Sequence, residues 1–422
     1  MGGNAFNQTL SSAIFPRMSP ECYQTLKAAL LPYVQPLYEL VAVPNEAPGK
    51  ADHGDIDFVV AHPKPGTSLE LVRQALKATH SLLQEGNRTS NFAVSTTAFD
   101  HVYRASEHGR DDFETFYQVD VSVCADKGEW ERTVFLHSYG DLGMILSVLA
   151  RAAGLSLSVH GLKLLAPLPT SPPVTFYLSF SLSQILEFFG LSQDRWTEGF
   201  ATEQEIFEWI ASSVLFRPHT VAPADNGHTA GRNGRKVRFM YQNFLAYARD
   251  LAHARPAAAQ PSVVVSLSEG VARSPIRAGI TADDALRFFR KEAEHAALIR
   301  SSDIKQHARE VFSGKLLEGW TGMRGLPVKW LMDTARERLE QAHAQTRPED
   351  YRKDVSQTVI FGHDLLGKEP FVVSSWELAL WSMSMSEVRS FILQIQDDMT
   401  RAGTCERNWE KERSRKAKKQ VL

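Results

Sequence analysis

Two runs of residues limit the folds open to this chain more than anything else in it: Asp55-Ile56-Asp57-Phe58-Val59-Val60-Ala61 and Phe116-Tyr117-Gln118-Val119-Asp120-Val121-Ser122-Val123-Cys124. Both read as strands, and the interior of the first is too apolar to be solvated on both faces. Side chains alternate along a strand, so Asp55 and Asp57 project together from one end of theirs. Two carboxylates that close repel and shift each other's ionisation unless a cation stands between them. A hard divalent ion such as Mg²⁺ fills that role readily. Taken alone, an Asp-x-Asp pair reads first as two solvated acids. Asp120 changes the reading, because an acid among β-branched neighbours on a buried strand needs a partner. Three strand-borne acids meeting at one edge are what a two-metal phosphoryl-transfer site requires.

The pattern around these runs alternates helix and strand. Residues 20–31 have helical periodicity, 37–43 are strand-like, and a loop with Pro44, Pro48 and Gly49 leads to Asp55. Ser68 is expected to open a helix reaching about Glu85, and 92–99 to form a strand before 116–124. From about residue 126 the reading becomes mainly helical: 141–153, a short strand at 176–180, then 181–189. Thr202 and Glu205 form a capping-box pattern before the amphipathic 206–211. Residues 254–275, rich in Ala, Pro and Ser, read as a linker. Residues 281–312 read as one long helix, and 328–346 as another after a break at 322–327. The expected organisation is therefore a core in 1–125, a helical region in 126–253, the linker, a helical domain in 276–403 and a basic tail in 404–422.

Composition excludes several classes. The chain has 422 residues, 43% hydrophobic and 23% charged, with a formal net charge of −2, so any basic surface is local. Cys22, Cys124 and Cys405 have neither paired nor CxxC spacing, which points to free thiols. None of the histidines forms an HxxxH or HExxH pair, and no Gly-x-Ser-x-Gly elbow or Gly-Lys-Ser/Thr loop occurs. The start suggests myristoylation until Phe6, which stands where Ser or Thr is preferred. No apolar run reaches membrane-spanning length and no signal-peptide pattern opens the chain, so the expectation is an intracellular protein, cytoplasmic or nuclear, with no membrane partner.

The order of these pieces resembles the DNA polymerase beta-like nucleotidyltransferase superfamily: a Gly-Ser helix start, a short loop, Asp-hydrophobic-Asp, and a third acid on a later strand. Asp55-Ile56-Asp57 and Asp120 match. The departure lies upstream, where this chain has Pro44-Asn45-Glu46-Ala47-Pro48-Gly49-Lys50, with Gly49 near an expected glycine and Asn45 in place of the serine. The start Met1-Gly2-Gly3-Asn4-Ala5, together with Gly54-Asp55-Ile56-Asp57, Phe188-Phe189-Gly190-Leu191 and Gly199-Phe200-Ala201-Thr202, is similar to phage- and fungus-type nucleotidyltransferases of undefined substrate. The resemblance implies an α+β fold, a nucleotidyltransferase-like mixed sheet with flanking helices followed by helical domains. It also implies that Asp55 and Asp57 bind both of two Mg²⁺ (or Mn²⁺) ions, and Asp120 the one that activates the attacking hydroxyl.

A nucleoside triphosphate needs donors for its phosphates. Lys50 stands five residues before Asp55, and backbone N–H groups near Gly49 can make a small anion nest. Asn45, Gly49, Lys50 and Gly54 are accordingly the candidate nucleotide-binding residues. Gly2 and Gly3 are candidates to approach the same place. Arg235, Lys236 and Arg238 form the densest internal basic cluster, beside Phe239 and Tyr241, a combination suited to a sugar-phosphate backbone and a stacked base. An ordinary solvated helix start fits that cluster as well. The expected reaction is attack of an acceptor hydroxyl on the α-phosphate with release of pyrophosphate, the acceptor being an RNA 3′ end, slightly favoured, a small molecule or a protein side chain. Two other classes stay open: a catalytically degenerate binding or scaffold protein on the same fold, and a metal-dependent phosphohydrolase.

Overall fold

The computed structural model describes residues 3–83, 86–99, 114–170, 173–218, 238–254, 279–346 and 371–403. The chain separates into two compact units, Met1–Ala166 with Thr175–Phe289, and Pro167–Val174 with Arg290–Leu422. The first unit takes in the expected core and all of the expected 126–253 region except residues 167–174, which belong to the second; nearly all of the expected linker, and the whole 404–422 tail, lie outside the described residues.

Helix α1 (Pro20–Val34) starts where its sequence says it should: Ser19 caps the Cys22 N–H and Pro20 sits in the first turn. Its buried stripe is Cys22, Tyr23, Leu26, Leu30 and Val34. Strands β1 (Tyr38–Ala42) and β2 (Asp55–Pro63) follow, then a two-turn helix α2 (Leu69–Ala75) and strands β3 (Ala78–Leu83), β4 (Thr89–Ser95) and β5 (Phe116–Cys124). These make one mixed sheet in the order β1-β2-β5-β4-β3, in which only the β2–β5 pair is parallel.

The expected helix from Ser68 to Glu85 is corrected here. Ser68 does cap it, but the chain leaves the helix through Lys77, whose φ is +52°, and becomes the edge strand β3. The apolar positions that suggested continued helix are satisfied instead by pairing with β4, a partner remote from local periodicity.

One face of the sheet is covered by α1 and α2. Ile56, Phe58, Val60, Phe92, Val119 and Val121 pack there against the α1 stripe, Val72 and Leu76. Phe58 and Phe92 are fully buried, and truncating either would cost about 3–5 kcal/mol. The opposite face is covered in two separate places. At one end Phe6, Phe15 and Leu10 of the N-terminal segment lie against Ala93 and Phe116. At the other, Trp130 and Val134 lie against Val59, Ala61 and Cys124.

Among the described residues the first unit also contains α3 (Lys127–His137), α4 (Leu142–Ala152), a small sheet of β6 (Leu155–Ser158), β7 (Gly161–Leu164) and β8 (Tyr177–Ser179), then α5 (Leu182–Phe189), α6 (Gln193–Glu198), α7 (Glu203–Ala211), α8 (Phe239–Ala254) and α9 (Ala282–Phe288). The β6–β7 hairpin departs from the mainly helical expectation; its two-residue turn ends at Gly161, whose φ is +117°. Thr202 caps the Glu205 N–H, whereas the Glu205 carboxylate reaches the Ala201 N–H and Arg195.

The second unit contains α10 (Glu292–Val311), α11 (Gly314–Thr321), α12 (Leu326–Thr346), α13 (Ser375–Trp381) and α14 (Met385–Arg401). Their core includes Val311, Leu317, Leu331, Ile392 and Ile395. The single helix expected over 281–312 is two, α9 and α10, separated at Arg290, whose φ of +55° no α-helix accommodates. Among the described residues no single helix is long and apolar enough to cross a membrane.

Candidate metal centre

The pairing register decides where the acids meet. Asp57 stands opposite Asp120, and Asp120 opposite Asn91, so all three side chains rise from the same sheet face on adjacent strands. Asp55 and Gln118, each two residues earlier on its strand, share that face and are also directly paired. Asp55, Asp57 and Asp120 each offer a carboxylate oxygen, and these oxygens lie within 4.8 Å of one another. They occupy the gap between the two apolar covers, with the N-terminal segment at one end and α3 at the other.

Neighbouring groups treat the three acids differently. Asp120 accepts from Asn91 Nδ2 at 2.7 Å, and Gln118 Nε2 donates to its two oxygens at 2.9 and 3.0 Å. Asp55 Oδ2 accepts the Gly3 N–H at 3.1 Å. Among the described residues nothing donates a hydrogen bond to the Asp57 carboxylate. Crowding by protein and then the charges of Asp55, Asp120 and Glu46 push Asp57 up to about 7. The Asp57 side chain is nevertheless exposed to solvent, and water there weakens both the cost of burial and the repulsion. Burial pushes Asp120 up to about 6, with Asp55 adding to it, against the opposing hydrogen bonds of Asn91 and Gln118.

Such a site gains from a bound cation. The donors are all hard carboxylate oxygens, the set suited to Mg²⁺ or Mn²⁺, and one divalent charge would relieve the repulsion the register imposes. The Asp55, Asp57 and Asp120 group can hold a metal ion.

The other expected site residues are placed less uniformly. Lys50 Nζ donates to Glu46 Oε2 at 2.6 Å, and Tyr23 donates its hydroxyl to Glu46 Oε1 at 2.6 Å. Burial raises Glu46, but these two hydrogen bonds prevail and hold its carboxyl below the usual range. Lys50 is close enough to ease the charge on Asp57, so its position beside the acids agrees with its spacing, although it already has an anionic partner.

Gly49 has φ +71° and open space where a Cβ would stand. Asn45 is tied to the turn between α3 and α4: its N–H donates to Ser138 Oγ, its Nδ2 to the Tyr139 hydroxyl, and its carbonyl accepts the Tyr139 N–H. Gly54 is buried, and its carbonyl lies against Gly3.

Of the basic cluster, Arg235 and Lys236 lie outside the described residues. Arg238 donates to Asp141 Oδ1 at 2.8 Å, tying the start of α8 to that of α4. A Cβ at Gly140 would stand 3.0 Å from Met240 Sδ and 3.1 Å from the Ala47 Cβ. The start of α8 therefore meets the Pro44–Lys50 loop across one glycine.

Sequence reading did not find Asn91, Gln118 or Glu46; it pointed to an approach of Gly3, which the structure brings against Gly54, but not to the bond from Gly3 to Asp55. Gln118 had a signal, since it shares a strand face with Asp120 two residues away. Glu46 had a weaker one, four residues before Lys50. Asn91 had none, because its place opposite Asp120 exists only once the β4–β5 register is set.

No protein-family model matches the chain, and a search of curated proteins gives no match.

Proposed function

We propose that the protein is a metal-dependent nucleotidyltransferase that joins a nucleoside monophosphate, taken from a nucleoside triphosphate, to an acceptor hydroxyl with release of pyrophosphate. The observation that carries this reading is the direct pairing of Asp57 with Asp120 on parallel neighbours, with Asp55 close enough for all three to share ions. Mg²⁺ or Mn²⁺ held there would supply charge neutralisation and an activated oxygen nucleophile. Asp55 and Asp57 would hold both ions, and Asp120 the one nearer the acceptor.

Support for the triphosphate end comes from Lys50 and the Gly49 turn, which stand at the approach to β2. A triphosphate there would compete with Glu46 for the Lys50 ammonium. Asn45 and Gly54 serve this loop by holding its two ends rather than by offering a free donor. Arg235, Lys236 and Arg238 belong to the acceptor side in this reading, and an RNA 3′ end or a small-molecule hydroxyl is the acceptor class.

The test is incubation with triphosphates labelled at the α-phosphate, with Mg²⁺ or Mn²⁺. Label carried onto an acceptor together with pyrophosphate supports transfer. Free phosphate would place the protein among metal-dependent phosphohydrolases. No turnover of any triphosphate, with no Mn²⁺ bound, would leave a binding protein on the same fold.

A further inference from the structure

We infer that the N-terminal segment positions the acid site: the backbone N–H groups of Gly3 and Ala5, acting through Asp55 and Gln118, set the carboxylates for metal. The inference rests on the metal-binding reading above and goes beyond the acids themselves.

Two independent contacts carry it. The first is direct, from the Gly3 N–H to Asp55 Oδ2 at 3.1 Å across 52 residues. The second is relayed. The Ala5 N–H donates to Gln118 Oε1 at 2.9 Å, and the other end of that amide donates to both oxygens of Asp120. The Asp120 carboxylate, which only accepts, takes the Nε2 end of this amide, and the Ala5 N–H fixes the oxygen at the other end, so the N-terminal segment holds Gln118 in place against Asp120. Gln118 is buried at 3% exposure, which makes this orientation costly to change.

Position 3 is also built for close approach. Gly3 has φ +83°, and a Cβ added there would stand 2.5 Å from the Gly54 carbonyl oxygen. That contact is with backbone, so a side chain would lift the segment off the residue preceding Asp55. Phe6 and Phe15, stacked at 5.4 Å, fasten the segment to the sheet further along and keep its start in place. Partners that orient metal ligands in this way commonly set affinity as strongly as they set structure.

The experiment is Mn²⁺ titration of the full chain, followed by the paramagnetic signal of free Mn²⁺, for wild type, Gly3→Ala and Gln118→Met. Melting temperatures with chelator are measured in parallel. We expect each variant to raise the Mn²⁺ dissociation constant about tenfold, within the range usual for groups supporting metal ligands. Excess Mn²⁺ should restore full occupancy, which a merely structural lesion would not allow. If wild type binds Mn²⁺ and Gly3→Ala binds it equally well, the positioning role is overturned while the metal site stands. If wild type binds none, the metal reading itself fails. Should Gln118→Met not fold, Gly3→Ala decides the matter alone, because it alters a residue outside the sheet.

Discussion

Asp57 and Asp120 face each other directly across the only parallel pairing in the five-stranded sheet, and among the described residues nothing donates a hydrogen bond to the Asp57 carboxylate. Asp120 is held by two amides, whereas Asp57 stands among like charges that Lys50 eases in part. The pair is therefore asymmetric: one acid is fixed in place and the other is poorly accommodated without a cation.

Asp57→Asn should separate metal binding from stability. The substitution is nearly isosteric and removes a charge repelled by Asp55 and Asp120. Mn²⁺ affinity should fall by more than about a hundredfold, beyond the range typical of groups that only support ligands. The melting temperature in chelator should stay level or rise. A large fall would show instead that Asp57 is a structural anchor.

The metal-free protein should lose stability as pH rises. An unfolded Asp titrates near pH ~3.9, whereas Asp57 is pushed up to about 7 and Asp120 to about 6. The native state thus holds more protons than the unfolded state between those values. The associated stability is fully present below the unfolded pKa and is lost as pH passes through 6 and then 7. Thermal melts in chelator should show the advantage of Asp57→Asn over wild type growing from pH 5 to pH 8, and added Mg²⁺ should shrink it. An advantage independent of pH would refute this assignment.

Lys50→Met should raise the apparent KM for the triphosphate about tenfold with kcat little changed, the pattern of lost uniform binding. The Glu46 carboxylate would lose one of its hydrogen-bond donors but keep the Tyr23 hydroxyl. Steady-state kinetics at saturating Mg²⁺ checks this. A fall in kcat at unchanged KM would move Lys50 from the bound phosphates to the transition state.

Glu129 gives a contrasting case away from the acids. It accepts both ends of the Arg88 guanidinium at 2.6 and 2.7 Å and the Ala125 N–H at 2.6 Å, with 6% of its side chain exposed. Glu129→Ala should cost about 2–3 kcal/mol in urea unfolding, because a charged hydrogen-bond set is lost at the start of α3. Mn²⁺ affinity should be unaffected. A matching loss of metal binding would mean that α3 helps to hold the acid-bearing face.

Local sequence sufficed for much of this molecule. The apolar run after Asp57 and the β-branched run around Asp120 identify β2 and β5, and Ser68 and Thr202 mark helix starts by capping chemistry. That three acids belong together followed from the cost of leaving Asp120 unpaired. Those inferences work because alternation, capping and desolvation act within a few residues.

Tertiary structure alone decided the rest. Strand β3 looked helical because its apolar spacing suits either period, and pairing with β4 settled the matter. Asn91 reaches Asp120 only through strand register, which a shift of one residue would destroy by turning the side chain to the other face. The glycine at position 3 pointed to a close approach beside the loop before Asp55, but not to the hydrogen bond it makes there. Its contact with Asp55 spans 52 residues of chain, and it forms because the segment's aromatic residues find an apolar patch at the end of the sheet. Long-range pairing and packing carry no local signature, since their free energy is gained only once distant segments have met.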